Sequence, residues 1–112
     1  MPKVIKYLEL AREISRQSTS IQQKMCAIVV RSNNIITIGI NRGNSHAETR
    51  ALRPHMDLRG CDLFVSRWNG RISRPCPKCQ AKVIEAGIRR CYYIGLDGSI
   101  IEERLGLYAR SL

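Results

Sequence analysis

Short β-branched runs alternate with helical-period segments along the whole chain, and this alternation narrows the fold more than any other feature of the sequence. Val4, Tyr7, Leu8, Ala11 and Ile14 recur at helical spacing, predicting an opening amphipathic helix over residues 4–17. A polar linker, 18–24, leads into a strand at Cys26-Ala-Ile-Val-Val30. Ser32-Asn-Asn34 supplies turn residues that tolerate left-handed backbone angles, so the strand that follows, Ile35–Ile40, pairs with the first as a hairpin. A short helix is predicted from His46 to Leu52 and is stopped by Pro54. A strand over 61–68, a helix over 76–85 ended by Gly87 and a strand over 90–96 follow. Asp97-Gly98 between apolar runs predicts a turn into an antiparallel fifth strand over 99–105, with a helix over 101–108 as the competing reading. This order implies a mixed five-stranded sheet with helices packed against it, an α/β layer architecture.

The chain has 112 residues, 44% of them hydrophobic and 25% charged, which fits one domain with one modest core. Nineteen Lys and Arg against nine Asp and Glu give a net charge of +10, which favours anionic partners such as nucleotides or nucleic acid. No apolar run approaches the roughly 20 residues that cross a bilayer, and the N-terminus lacks the apolar stretch of an export signal. A soluble, cytoplasmic protein without membrane contact is therefore expected. Collagen-like, coiled-coil and disordered readings fail on composition.

Five cysteines are an odd set for a disulfide framework, and two of them, Cys76 and Cys79, stand in Pro-Cys-Pro-Lys-Cys. Spaced i,i+3 at a predicted helix start, their sulfurs can meet on one face, and the free N–H groups there favour thiolates. His46 opens the other short helix. Imidazole and two thiolates suit zinc, and three protein ligands leave a fourth tetrahedral position open, as in catalytic sites. Glu48, two residues after His46, can face that position and carry protons. Two blander readings stand beside this one: a redox pair, or a structural zinc site completed by His55 or Cys61. Cys26, Cys61 and Cys91 read as small buried strand residues, and Tyr92 and Tyr93 as side chains on opposite faces of one strand.

His46-Ala-Glu48 followed by Pro75-Cys-Pro-Lys-Cys79 resembles the signature of the zinc-dependent cytidine and deoxycytidylate deaminase superfamily. The resemblance covers most of the chain. It implies a three-layer α/β/α fold with helices on both faces of the sheet, one deaminase domain over 1–112, and Zn2+ held by His46, Cys76 and Cys79. It also implies hydrolytic deamination of cytosine to uracil by zinc-hydroxide attack, with Glu48 as proton shuttle and the backbone N–H groups of Ala47 and Cys76 holding water and product. Asn41 matches a sugar-contacting position. Arg42 beside it can meet a phosphate, as can Arg67, Arg71 and Arg74 as a group. Trp68 either stacks on a base or packs in the core or an interface. The run from Gln80 to Ile88 looks more like cytosine-type than adenosine-type deaminases, and the expected substrate is a free nucleoside or nucleotide. An antiparallel fifth strand resembles small free-cytidine deaminases, whereas Asn41 resembles the deoxycytidylate and transfer-RNA branches. The alternatives are a polynucleotide cytidine deaminase acting on a single strand, supported by the charge and Trp68, then an adenosine-type deaminase or a non-enzymatic zinc-containing nucleic-acid-binding domain. A homo-oligomer is expected, since a chain this small leaves much surface to bury.

Overall fold

A computed structural model describes residues 2–20, 23–42 and 45–105. The first helix, α1 (Pro2–Ser15), buries Tyr7, Leu8 and Ala11, the middle of the predicted stripe. It stops two residues before the predicted end. The Ser15 hydroxyl turns back to the Arg12 carbonyl at 2.5 Å, and residues 16–18 follow in tighter i to i−3 turns.

The hairpin forms as expected from β1 (Met25–Arg31) and β2 (Asn34–Ile40), turned by Ser32 and Asn33 at φ 50° and 65°. After α2 (Ala47–Ala51) the chain forms β3 (Asp62–Arg67), α3 (Pro77–Glu85), β4 (Arg90–Ile94) and β5 (Ile100–Arg104). The sheet order is β2-β1-β3-β4-β5, with β3 and β4 parallel and the other neighbours antiparallel. Asp97-Gly98 makes the expected turn, Gly98 at φ 83°, and β5 runs back along β4. The helical alternative therefore fails for residues 101–104, because alternate side chains of this segment pair with β4; the rest of that alternative, 106–108, lies outside the described residues.

Period-two alternation sends the strands' side chains to two cores. Cys26, Ile28, Val30, Phe64 and Tyr92 meet α1, while Ala27, Val29, Leu63, Val65, Cys91 and Tyr93 face the side of α2 and α3. This is the three-layer arrangement expected, with Tyr92 and Tyr93 divided between the layers. Among the described residues no helix is long and apolar enough to cross a membrane.

Since β2 and β3 both run antiparallel to β1, and β4 runs parallel to β3, the C-terminal ends of these three strands lie at one end of the sheet. Crevices beyond such ends are where α/β folds place their sites. Here β3 and β4 also part company. Their pairing stops at Phe64 and Tyr92, and Ser73 takes the gap: its hydroxyl donates to the Val65 carbonyl at 2.7 Å and accepts the Ile94 N–H at 2.9 Å. Wedged there and 1% exposed, Ser73 carries the chain toward Pro75 and Cys76.

Candidate active site

Two helix starts converge beyond these strand ends. His46 is the N-cap of α2 and Cys76 the N-cap of α3, both with extended backbone, and Pro77 follows at the first turn of α3, where its missing N–H costs nothing. The ligand atoms of His46, Cys76 and Cys79 all lie within 4.8 Å of one another. Cys76 Sγ stands 3.7 Å from His46 Nδ1, and two donors bound tetrahedrally at zinc distances lie about 3.6–3.8 Å apart. The donor set and its spacing thus fit zinc with one position left open.

Glu48 is 2% exposed, and its Oε1 is buried without a hydrogen-bond partner. Burial pushes its carboxyl above the ordinary range, against the smaller opposing effects of a hydrogen bond from Cys79, its own backbone and the His46 charge. An orphaned carboxylate oxygen beside three metal donors is suited to holding a proton-bearing ligand. Burial likewise pushes the Cys79 thiol up to about 12, with Cys76 and the charge of Glu48 adding to it. A divalent cation reverses that cost, because coordinated thiols lose their proton.

The position of α2 depends on β2 residues that the sequence reading did not single out. A methyl group at Gly39 would stand 2.3 Å from the Ala47 carbonyl oxygen and the Ala51 nitrogen, so the helix backbone lies directly on the strand. On the same face Thr37 donates its hydroxyl to the Ala51 carbonyl at 3.0 Å and accepts from Arg53 Nε at 3.2 Å. A Thr-x-Gly pair interrupting an Ile-rich strand was the available signal. Glu103 on β5 was also missed, because that segment had two readings. Its carboxylate accepts from Gln80, from the Tyr93 hydroxyl at 3.1 Å and from Arg74 at 3.8 Å, and so ties both flanks of the two-cysteine segment to the sheet.

The other expected residues are placed as follows. Asn41 is nearly buried; its Oδ1 accepts from Ser18 Oγ at 2.6 Å and Met25 N at 2.9 Å, and its amide donates to the Gln23 carbonyl, which leaves one amide hydrogen unassigned. Ala47 is buried at the first turn of α2 and Arg42 is exposed. Arg74 spends its charge on Glu103 and Arg67 has its Nε buried, so the three arginines of that loop do not act as one free group. Trp68 is 46% exposed, so it does not pack in the core of the chain. Its backbone is anchored, donating to Lys24 and accepting from Arg12. His55 is exposed and Cys61 is buried at the far end of β3, and among the described residues neither joins the cluster, so the four-ligand structural site does not form. Cys26, Cys61 and Cys91 are buried as expected.

An α/β sandwich with an open three-donor metal site at two helix starts, and a buried carboxylate beside it, defines a metal-dependent hydrolase. Residues 1–95 match the family described as the cytidine and deoxycytidylate deaminase zinc-binding region, and the chain belongs to that family. It is a deaminase of zinc-binding type. A protein of Aliivibrio fischeri called "uncharacterized deaminase in luxG 3'region" is 28% identical over 107 residues, 78% of this chain and 69% of that one. The crystal structure of dCMP deaminase from cyanophage S-TIM5, in apo form, superposes with a TM-score of 0.68 at 26% identity, covering 85% of each chain. The same enzyme with dCMP and dUMP gives 0.66 at 23% identity, over 81% of this chain and 80% of that one. The Thermotoga maritima diaminohydroxyphosphoribosylaminopyrimidine deaminase/reductase shares the fold at a TM-score of 0.62 and 24% identity, over 80% of this chain and 28% of that one.

Proposed function

We propose that the protein hydrolyses the amino group of a cytosine base in a free nucleoside or nucleotide, giving the uracil product and ammonia. The observation that carries this reading is the buried, unpartnered Oε1 of Glu48 beside His46, Cys76 and Cys79. Bound zinc supplies a Lewis acid that brings the pKa of water to about 7. The chain's own part is proton handling and positioning. Glu48 takes a proton from the attacking water, which adds at the ring carbon bearing the amine. It then delivers protons to the ring nitrogen and to the departing amine, so that one water is consumed and one ammonia leaves. Backbone N–H groups of Ala47 and Cys76, at helix starts without intrahelical acceptors, orient the water and the product oxygen. Asn41 has one amide hydrogen left for a sugar, and Arg42 offers a charge to a phosphate. A deoxycytidylate-type substrate is supported by the likeness to the cyanophage enzyme and by the +10 charge.

The exposed ring of Trp68 favours a second reading, deamination of cytosine within a single strand, where an aromatic face stacks on bases. Self-association belongs to the proposal too: Ile5, Trp68, Ile72 and Leu96 all expose apolar surface, and light scattering checks it.

The test is a deamination assay on zinc-loaded protein with cytidine, deoxycytidine, their monophosphates and a cytosine-containing single strand, with Glu48→Ala as control. Turnover of the small substrates, lost in the variant, is expected. Turnover confined to the strand would replace the first reading by the second, and silence on every substrate with zinc bound would overturn both.

A further inference from the structure

A second cleft of about 530 Å3 lies along the open edge of β2, between α2 and the turn that follows α1. Its cationic side chains are Arg42, Arg50, Arg53 and His55, and no carboxylate lines it. Arg42 and Arg50 enter no ion pair among the described residues. Arg53 keeps its terminal nitrogens, since only its Nε is held, by Thr37. In a chain with nine acidic residues and six ion pairs among its described residues, a cleft of this size that gathers three guanidinium groups and no counter-charge is a concentrated positive field.

The strand edge adds neutral donors. Asn41 N donates to Met25 O at 3.2 Å, which turns the N–H groups of 41, 39 and 37 toward β1 and those of Ile38 and Ile40 outward, along the cleft. Planar guanidinium groups together with outward backbone N–H groups make up the donor chemistry that binds phosphate oxygens. Thr49 belongs to this cleft and also sits beside the metal donors, its Oγ1 3.7 Å from Cys79 Sγ, so the two sites share a wall.

We propose that this cleft binds a phosphate group, with Arg42 and Arg50 as its principal contacts. The site goes beyond the deamination reading, because it does not depend on which base is attacked. The phosphate belongs either to the substrate itself or to a separate phosphorylated small molecule.

Calorimetric titration of the zinc-loaded protein with inorganic phosphate tests this without turnover. Saturable binding is expected, weakened by added NaCl and weakened about tenfold by Arg42→Ala or Arg50→Ala, since each removes one charge-assisted contact. Both side chains are exposed, so the fold should survive, which circular dichroism checks; Arg53 is left intact because it holds Thr37. Arg16→Ala, which removes an exposed cation paired with Glu13 elsewhere, should bind phosphate like the parent. Kinetics with cytidine and its monophosphate then separate the sources. A higher KM for the monophosphate alone assigns the phosphate to the substrate, and an unchanged KM for both, with phosphate binding weakened, assigns it to a separate molecule. Absence of phosphate binding by the parent, or equal binding by the folded Arg42→Ala and Arg50→Ala variants, would overturn the proposal even if deamination is confirmed.

Discussion

On the α1 face of the sheet, Phe64 stacks on Tyr92 at a centroid distance of 4.9 Å and meets Tyr7 at 5.1 Å, and large apolar side chains fill the space between helix and strands. On the opposite face the same strands present Ala27, Gly39 and Cys91, the facing residues of α2 are Ala47 and Ala51, and a carboxylate and two thiols share the interior with them. One face gains stability from volume and aromatic contact. The other brings backbones close enough to aim two helix starts at one point, and it buries a carboxylate that stability alone would not retain. The contrast separates what holds this protein together from what lets it act.

The largest effect expected is at Glu48. Glu48→Gln should lower the deamination rate by about 10²–10⁴-fold, as loss of a general acid–base group does, while zinc content stays constant and the melting temperature holds or rises. A fall in stability instead would mean that Glu48 serves the packing, and the contrast between the faces would break. Phe64→Ala should do the converse. Urea unfolding should show a loss of about 3–5 kcal/mol, with zinc stoichiometry intact in the fraction that remains folded. Gly39→Ala lies between these, because the added methyl displaces α2: a cost of about 1–3 kcal/mol should come with weakened metal binding, seen in a competition titration against a chelator. A folded variant with parental metal affinity would show that close backbone contact is not what positions His46. The smallest effect should be that of Glu103→Gln, which removes the charge facing Arg74 but keeps an amide at the same place. Its stability should change by less than about 1 kcal/mol, and the absorption spectrum of the cobalt-substituted protein should shift, with affinity reduced less than about tenfold. An unchanged spectrum would confine Glu103 to the sheet edge.

The chemistry-bearing residues were legible because their spacing is local. His46 and Glu48 are two residues apart, Cys76 and Cys79 one helical step apart, and the helix starts that carry them are signalled by Pro54 beyond one and Pro75 and Pro77 at the other. Strand periodicity also divided Tyr92 from Tyr93 and buried Cys26, Cys61 and Cys91 correctly. Arg74 was misjudged as a free phosphate contact because its partner, Glu103, is 29 positions away on a strand that had a competing helical reading. Trp68 could not be assigned, since a side chain at a strand end is buried or exposed according to what the next loop does.

What the sequence alone determined is the set of elements, the donor types and their pairing into two motifs, all consequences of backbone propensity and of side-chain chemistry within a few residues. Only the tertiary structure decided that β3 and β4 separate around Ser73, that α2 rests on Gly39, and that Arg42, Arg50 and Arg53 share a cleft without a carboxylate. These features depend on distances between segments remote in the chain. Such distances follow from how whole elements pack against one another, which local pattern does not encode.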